Sequence, residues 1–264
     1  MKLLVGLALL LVAPWAAHAG EERPAALRDV AFAQRLGDRV PVDAPLRDET
    51  GRAVTLREYL GKPLLLVPAY YTCPMLCTLV QNGVVSALRA LPFDIGKEFT
   101  VVTFSFDPTD GPEAAAKKKE AYLAEYRRPG AEAGWHFLTG GEASIKALTD
   151  AIGFRATYDE AHHQYAHASG IVLLTPEGRI TRYFFGVEYA PRDLRLAMVE
   201  ASANKIGTVV DQLLLFCFHY DPATGRYSRL ALDAVRAGGV VTIVALGAAI
   251  GWWLRRERLR GAAA

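Results

Sequence analysis

Hydrophobic positions divide the middle of the chain into short apolar runs and amphipathic stretches. The runs over 64–71 and 99–106 are rich in aliphatic, β-branched and aromatic residues, and both are short enough for strands buried on both faces. Between them, apolar residues recur every three or four positions over 76–91, which is the period of an amphipathic helix. An Ala/Lys/Glu-rich helix is predicted over 113–126. This order predicts parallel strands that are connected by helices.

The second half of the chain predicts a smaller set of elements. They are a helix, two strands and a closing helix, over 142–152, 170–174, 180–185 and 191–203. Thr175-Pro176-Glu177-Gly178, between the two strands, has turn chemistry and predicts a hairpin. A loop that contains His162, His163 and His167 is predicted before the first of these two strands. Parallel strands followed by a hairpin and a helix predict an α/β fold, a thioredoxin-like sandwich over 49–203.

The amino-terminal residues predict export. Lys2, an apolar run over 3–13 and Ala17-His18-Ala19 have the pattern of a secretory signal peptide, 1–19, that ends in a cleavage site. An uncleaved anchor is the alternative, but the run is too short to cross a hydrocarbon layer of about 30 Å. Residues 20–48 have no sustained apolar period and are expected to form a linker.

The carboxyl-terminal residues predict a membrane anchor. The uncharged run over 237–254 extends about 27 Å as a helix, which suits a transmembrane helix, with a buried core helix as the alternative. The tail, 255–264, has four arginines against one glutamate, and such a charge resists export. We therefore expect an inner (cytoplasmic) membrane protein with a helical extension over 204–236. Its domain would face the periplasm or cell exterior, and its tail would be cytoplasmic.

Net charge excludes one class of partner. The whole chain carries +2, of which the predicted signal peptide contributes +1 and the tail +3. About −2 therefore remains for the exported part. Because no basic surface is left over, we expect no binding to nucleic acid.

The chemistry of the chain centres on its cysteines. There are three, Cys73, Cys77 and Cys217, which is too few for a disulfide-stapled scaffold. Cys73 and Cys77 lie four residues apart where the first strand meets the first helix, so both sulfurs are expected on one helix face. The helix dipole there favours thiolates. Two thiolates are a soft ligand set suited to Cu(I), and one imidazole would add a third ligand.

Other roles for the cysteine pair stay open. A simple disulfide is one, and the disulfide and the metal site can be two states of the same residues. Zinc is another, although structural zinc usually has four ligands and only three are evident. Redox enzymes of the thioredoxin type have two residues between their cysteines, whereas three separate Cys73 from Cys77, which favours a metal. Met75 occupies the position where a peroxidase would have its nucleophile.

Several motifs together resemble a known family. They are Tyr71-Thr72-Cys73-Pro74-Met75-Leu76-Cys77, the run 101–107 followed by Pro108, Trp135-His136-Phe137-Leu138-Thr139-Gly140, and His167 before a strand that ends in Thr175-Pro176-Glu177-Gly178. Over about 150 residues, from Pro45 to near Ala203, the sequence resembles the Sco/SenC family. The resemblance implies a thioredoxin-like fold and copper, Cu(I) or Cu(II), bound by Cys73, Cys77 and His167. It also implies a role in assembly of the binuclear copper centre of cytochrome c oxidase.

The chain departs from the family pattern in a few places. Met75, Thr78 and Ala166 stand where the family usually has an acidic residue, a proline and an acidic residue. The single anchor is predicted at the carboxyl end instead of the amino end. Residues around a ligand tune a metal site, so these departures concern the surroundings of the ligands.

Two classes of function use the same two sulfurs. One is a copper metallochaperone whose partner is the copper-containing subunit of cytochrome c oxidase or another copper protein. The alternative is a membrane-anchored thiol-disulfide oxidoreductase whose redox pair, Cys73 and Cys77, reduces the cysteines of that subunit. His167 discriminates between them, because disulfide exchange needs only the cysteines. A copper sensor ranks last because the cytoplasmic tail is too short for an output domain.

Four further residues offer metal-binding groups. His162 and His163 precede His167 and are expected to be solvated, with a role as auxiliary ligands as the alternative. Cys217 and His219 belong to the extension, where Cys217 continues a helical apolar spacing and is expected to pack against other residues. A second metal site there is the alternative.

Overall fold

A seven-stranded sheet is the centre of the structure. The structure is a computed structural model, and it describes residues 30–73, 75–160, 162–205, 220–221, 226–227 and 229–261. The strands are β1 (Ala31–Phe32), β2 (Leu46–Arg47), β3 (Ala53–Val54), β4 (Leu64–Ala69), β5 (Thr100–Ser105), β6 (Trp135–Gly140), β7 (Phe154–Asp159), β8 (Gln164–His167), β9 (Gly170–Leu174), β10 (Ile180–Phe185), β11 (Tyr220–Asp221) and β12 (Arg226–Tyr227). In the large sheet the order is β10-β9-β4-β5-β6-β2-β3.

Parallel pairing connects the three central strands, as the alternation of strands and helices predicts. Leu64 lies opposite Thr100 in the β4–β5 pair, and Val101 lies opposite Trp135 in the β5–β6 pair. Strands β9 and β10 form the predicted hairpin, and β9 runs antiparallel to β4. Every residue of β4 and β5 is buried, which explains why both strands read as continuous apolar runs.

Helices cover both faces of the large sheet. They are α1 (Leu76–Arg89), α2 (Pro112–Tyr126), α3 (Glu142–Ala151) and α4 (Pro191–Ser202), and a further helix, α5, spans Arg229–Gly261. Side chains of β4 alternate between two cores, so Leu65 and Val67 pack with residues of α1, α2 and α4, whereas Leu64 and Leu66 pack with α3 on the opposite face. The result is an α/β sandwich of the predicted kind.

A second, smaller sheet lies in the core that contains α3. It has three antiparallel strands in the order β1-β7-β8, with Ala31 opposite Arg155 and Ala156 opposite His167. The prediction of a loop that contains all three histidines is therefore wrong for His167, which belongs to β8, whereas His162 and His163 do lie in the turn between β7 and β8. Strands β7 and β8 are mostly half-buried or exposed, so they lack the apolar run by which the central strands are identified.

The predicted linker also needs correction. From residue 30 onward it belongs to the fold, because Phe32 is buried and its ring lies 5.2 Å from Phe154 and 5.4 Å from Tyr183. Val40 and Val42 are buried in the same core. These apolar residues are separated by polar ones without a regular period, and they find their partners far away in the sequence. A pattern based on local spacing cannot identify such contacts.

The structure describes the predicted carboxyl-terminal span but not the predicted signal peptide. The predicted signal peptide, 1–19, lies outside the described residues, as do Cys217 and His219. Helix α5 contains the run 237–254. Within the part of the chain that the structure describes, no helix has the length and apolarity that crossing a membrane requires, so the predicted C-terminal span is not supported.

Candidate metal site

Two free cysteines meet where β4 passes into α1. Cys73 follows a turn in which its N–H donates to the carbonyl of Tyr70, and Cys77 lies in the first turn of α1. The N–H of Cys77 donates to Cys73 Sγ at 3.2 Å, and the N–H of Tyr70 donates to Cys77 Sγ at 3.4 Å. Cys73 is 8% exposed and Cys77 4%. The backbone therefore holds both sulfurs close together just beneath the surface.

His167 approaches the cysteines from the small sheet. It is the last residue of β8 and is 9% exposed. Its Nδ1 lies 2.9 Å from the carbonyl oxygen of Ala168, and its Nε2 lies 3.3 Å from Cys77 Sγ. Because a carbonyl can only accept, Nδ1 carries a proton and donates to Ala168. Nε2 is the ring atom that faces the sulfurs, and it can bind a metal when it carries no proton.

The three groups can share one metal ion. The two sulfurs and an imidazole nitrogen all lie within 4.8 Å of one another. A metal–sulfur bond is about 2.3 Å long, so an ion between these atoms can contact all three. Two sulfurs and one nitrogen form a soft donor set. The structure thus brings together the three residues on which the sequence prediction of a metal site depends.

The cysteine pair holds one negative charge. The hydrogen bond from the Cys77 side chain lowers the pKa of Cys73 to about 3, with further contributions from His167 and from the backbone N–H groups of Cys77 and Met75, against the opposing effect of burial. The Cys73 thiolate and burial together raise the pKa of Cys77. Cys73 is consequently the thiolate and Cys77 the thiol that donates to it.

Aromatic rings surround the imidazole. The ring of His167 lies 5.2 Å from that of Phe106 and 6.1 Å from those of Tyr70 and Phe154. Tyr165 packs against Tyr70 and Phe106 in the same shell. These rings keep water away from the inner side of the site, which strengthens the electrostatic interactions there. Sequence reasoning missed this shell, since Tyr70 and Phe106 directly follow β4 and β5 whereas Phe154 and Tyr165 belong to β7 and β8.

A buried carboxylate supports the turn before Cys73. Asp110 Oδ2 accepts hydrogen bonds from the N–H of Tyr71 at 2.7 Å and from the hydroxyl of Ser105 at 2.5 Å. Asp110 lies in the turn between β5 and α2, and it is 8% exposed. It therefore ties the cysteine-bearing turn to the end of the neighbouring strand. Local sequence spacing does not indicate this contact, because Tyr71 and Asp110 lie 39 residues apart.

The other three histidines of the described residues lie apart from the site. His162 is exposed and pairs with Asp159 at 2.8 Å, near the tip of the β7–β8 hairpin. His163 has a positive φ of 49° in the same turn. His136 stacks on Tyr59 with ring centroids 4.3 Å apart, and burial lowers its pKa. Among the described residues, none of these three belongs to a group that could hold a metal with the cysteines.

Comparisons with known proteins place these features in context. The sequence model of the SCO1/SenC family matches residues 37–201. The chain is similar to the SCO1 protein homolog of Bacillus subtilis (strain 168), with 25% identity over 163 residues that cover 60% of this chain and 80% of the relative. Two solved structures from Aquifex aeolicus VF5, proposed to be an electron transfer and an electron transport protein, have 30% and 32% identity. Their TM-scores are 0.57 and 0.52; each match covers 64% of this chain, and 95% and 99% of theirs.

Proposed function

Because the chain belongs to the SCO1/SenC family, we propose that it is a copper metallochaperone that binds its cargo through Cys73, Cys77 and His167. The acceptor would be the copper-containing subunit of cytochrome c oxidase, whose binuclear centre it helps to assemble, or another copper protein. One observation carries this proposal, namely that two sulfurs and an imidazole nitrogen lie within 4.8 Å of one another.

The donor set supports copper as the cargo. Thiolate ligands select Cu(I), and one neutral imidazole completes a three-coordinate site. Cys73 already offers a thiolate, His167 offers the lone pair of Nε2, and Cys77 would lose its proton when the ion binds. A structural zinc site would need a fourth ligand. Within the described residues, no fourth histidine, cysteine or carboxylate belongs to this group.

The thiol-disulfide oxidoreductase remains the second candidate, because a thiolate with a lowered pKa also suits disulfide exchange. The Cys73 thiolate would attack a disulfide of the partner, form a mixed disulfide and release one partner thiolate. Cys77, after giving up its proton, would then attack Cys73 and release the second. The partner disulfide is reduced by two electrons as Cys73 and Cys77 become a disulfide. His167 forms no bond in this reaction.

Metal analysis of the purified chain separates the two candidates. We expect one copper per chain in the parent, and loss of tight binding in Cys73→Ala and Cys77→Ala, because each removes one of two soft ligands. His167→Ala should weaken copper binding while the disulfide chemistry is retained. His162→Ala is the matched control and should bind copper like the parent. If His167→Ala binds copper as tightly as the parent while Cys73→Ala loses reductase activity toward the oxidase subunit, the oxidoreductase is the correct function.

We also propose that the domain acts outside the cytoplasm. This part rests on the predicted signal peptide, 1–19. Intact-mass measurement of the protein purified from cells tests whether this segment is removed. A chain that begins at Gly20 supports export with cleavage, whereas a chain that retains Lys2 contradicts cleavage and favours the uncleaved anchor.

A further inference from the structure

Met75 is an exposed thioether residue next to the cysteines of the candidate site. It lies between them in the sequence and immediately precedes α1, and it is 67% exposed. The sulfurs of Cys73 and Cys77 and the ring of His167 are, by contrast, buried. The backbone N–H of Met75 interacts with Cys73 Sγ and lowers the pKa of that thiol. Among the described residues the other methionine, Met198, is buried in α4.

A thioether in this position has a specific chemistry toward Cu(I). It is a soft, neutral ligand, so it prefers Cu(I) to harder ions and binds more weakly than a thiolate. The methionine side chain is unbranched with three rotatable bonds, and its reach is therefore adjustable. A copper ion that leaves a buried site must exchange ligands one at a time. Met75 offers the first soft donor on the solvent side.

We propose that Met75 is a transient Cu(I) ligand that replaces His167 while copper enters and leaves the site. The inference rests on the proposed metallochaperone function and deepens it. As the bond from Met75 Sδ to copper forms, the bond from His167 Nε2 breaks, and both cysteine thiolates stay bound. Copper remains Cu(I) and no proton moves. A ligand of the acceptor then replaces Met75.

The position of His167 favours it as the ligand that leaves. The two cysteines are joined to each other through the backbone hydrogen bond from Cys77 to Cys73 Sγ, so they move as one unit. His167 belongs to β8 of the small sheet, and an imidazole that binds copper through Nε2 is a neutral ligand. Exchanging a neutral imidazole for a neutral thioether leaves the net charge of the copper complex unchanged.

Leu79 provides the competing explanation and the matched control. It lies four residues after Met75, is 46% exposed, and forms with Met75 an exposed apolar pair near the site. If Met75 acts only as an apolar surface, then Met75→Leu should behave like the parent and Leu79→Ala should be impaired. If Met75 acts through its sulfur, Met75→Leu should be impaired and Leu79→Ala should not.

The first experiment measures release. The full chain and both variants are loaded with Cu(I), the bound copper is quantified, and bathocuproine disulfonate is added as the acceptor. We expect Met75→Leu to release copper about tenfold more slowly than the parent, equivalent to about 1.4 kcal/mol on the barrier. Its equilibrium affinity should change by less than about threefold, and Leu79→Ala should match the parent in both measurements.

The second experiment observes the bond. In selenomethionine-labelled protein loaded with Cu(I), X-ray absorption at the selenium edge should reveal a copper neighbour in the His167→Ala variant, where the histidine no longer competes. Adding Met75→Leu should remove the copper neighbour, since Met198 is buried and is not expected to reach the ion. A parental release rate in Met75→Leu, or a selenium spectrum without copper in His167→Ala, overturns this inference alone. A parent chain that binds no copper overturns the proposed function and this inference with it.

Discussion

The interaction between the two cysteine sulfurs can be tested by removing its donor. Cys77→Ala eliminates the thiol that donates to the Cys73 thiolate, which is the largest cause of the lowered Cys73 pKa. Burial then opposes the charge with less compensation, so the pKa of Cys73 should rise. His167 and the backbone N–H groups of residues 75 and 77 still favour the thiolate. The pKa is therefore expected to rise only part of the way.

The size of this rise follows from the strength of one hydrogen bond. A hydrogen bond to a charged group contributes about 1.5–3 kcal/mol, and one pKa unit corresponds to about 1.36 kcal/mol. The pKa of Cys73 should thus increase from about 3 in the parent to about 4–5 in Cys77→Ala. Cys77→Ser retains a hydroxyl donor, and its Cys73 should stay closer to the parental value.

Ultraviolet absorbance of the thiolate, followed against pH, measures the effect. The reduced full chain is used in a Cys217→Ser background, so that Cys73 and Cys77 are the only thiols that titrate, and far-ultraviolet circular dichroism at each pH verifies the fold. The order parent, Cys77→Ser, Cys77→Ala in rising pKa is expected. If the pKa of Cys73 is the same in all three proteins, the Cys77 side chain is not the donor and the assignment of one shared charge is wrong.

Three further predictions concern the free energy of unfolding, measured by urea denaturation of the full chain. Asp110→Ala removes the acceptor of two buried hydrogen bonds and should cost about 2–4 kcal/mol, whereas Asp110→Asn, which keeps an acceptor oxygen, should cost about half as much. Gly83→Ala places a Cβ 1.8 Å from the carbonyl oxygen of Val187 and should cost about 1–3 kcal/mol; Gly239→Ala, also helical but open, should cost nothing. Phe32→Ala should cost about 3–5 kcal/mol, and a loss below about 1 kcal/mol would return this segment to the status of a linker.

The central strands and the first helix were predictable because their environment repeats along the chain. Each residue of β4 is buried, and Val80, Val84 and Leu88 follow one face of α1, so local spacing reports the final surroundings directly. The closeness of Cys73 and Cys77 was predictable from their spacing, but the expected shared helix face was wrong, because Cys73 precedes α1 and is held near Cys77 by a backbone hydrogen bond to its sulfur. In these elements, position in the sequence and position in space are closely related.

Features that depend on distant contacts were not predictable in this way. The pairing of β7 with β8, which presents His167, joins strands whose side chains are mostly half-exposed and whose apolar pattern is weak. Phe32 meets Phe154 across more than a hundred residues, and its neighbours in sequence are polar or small. The hydrogen bond from the Tyr71 N–H to Asp110 likewise joins two turns that lie 39 residues apart in the sequence.

His167 belongs to the small sheet, so a bound metal ion would connect this sheet to the cysteines. His167 is attached through β8 to β7 and the two-residue β1, and among the described residues no strand pairing joins these three strands to the large sheet. Under the proposed function, an ion shared by His167 and Cys77 would bridge 90 residues of sequence and connect the small sheet to the cysteine-bearing turn. Without the ion this connection is lost, while the central strands keep their own hydrogen bonds. Local opening of β8 should therefore become easier. The β8 amides should then exchange their hydrogens faster in the copper-free chain than in the chain with copper bound.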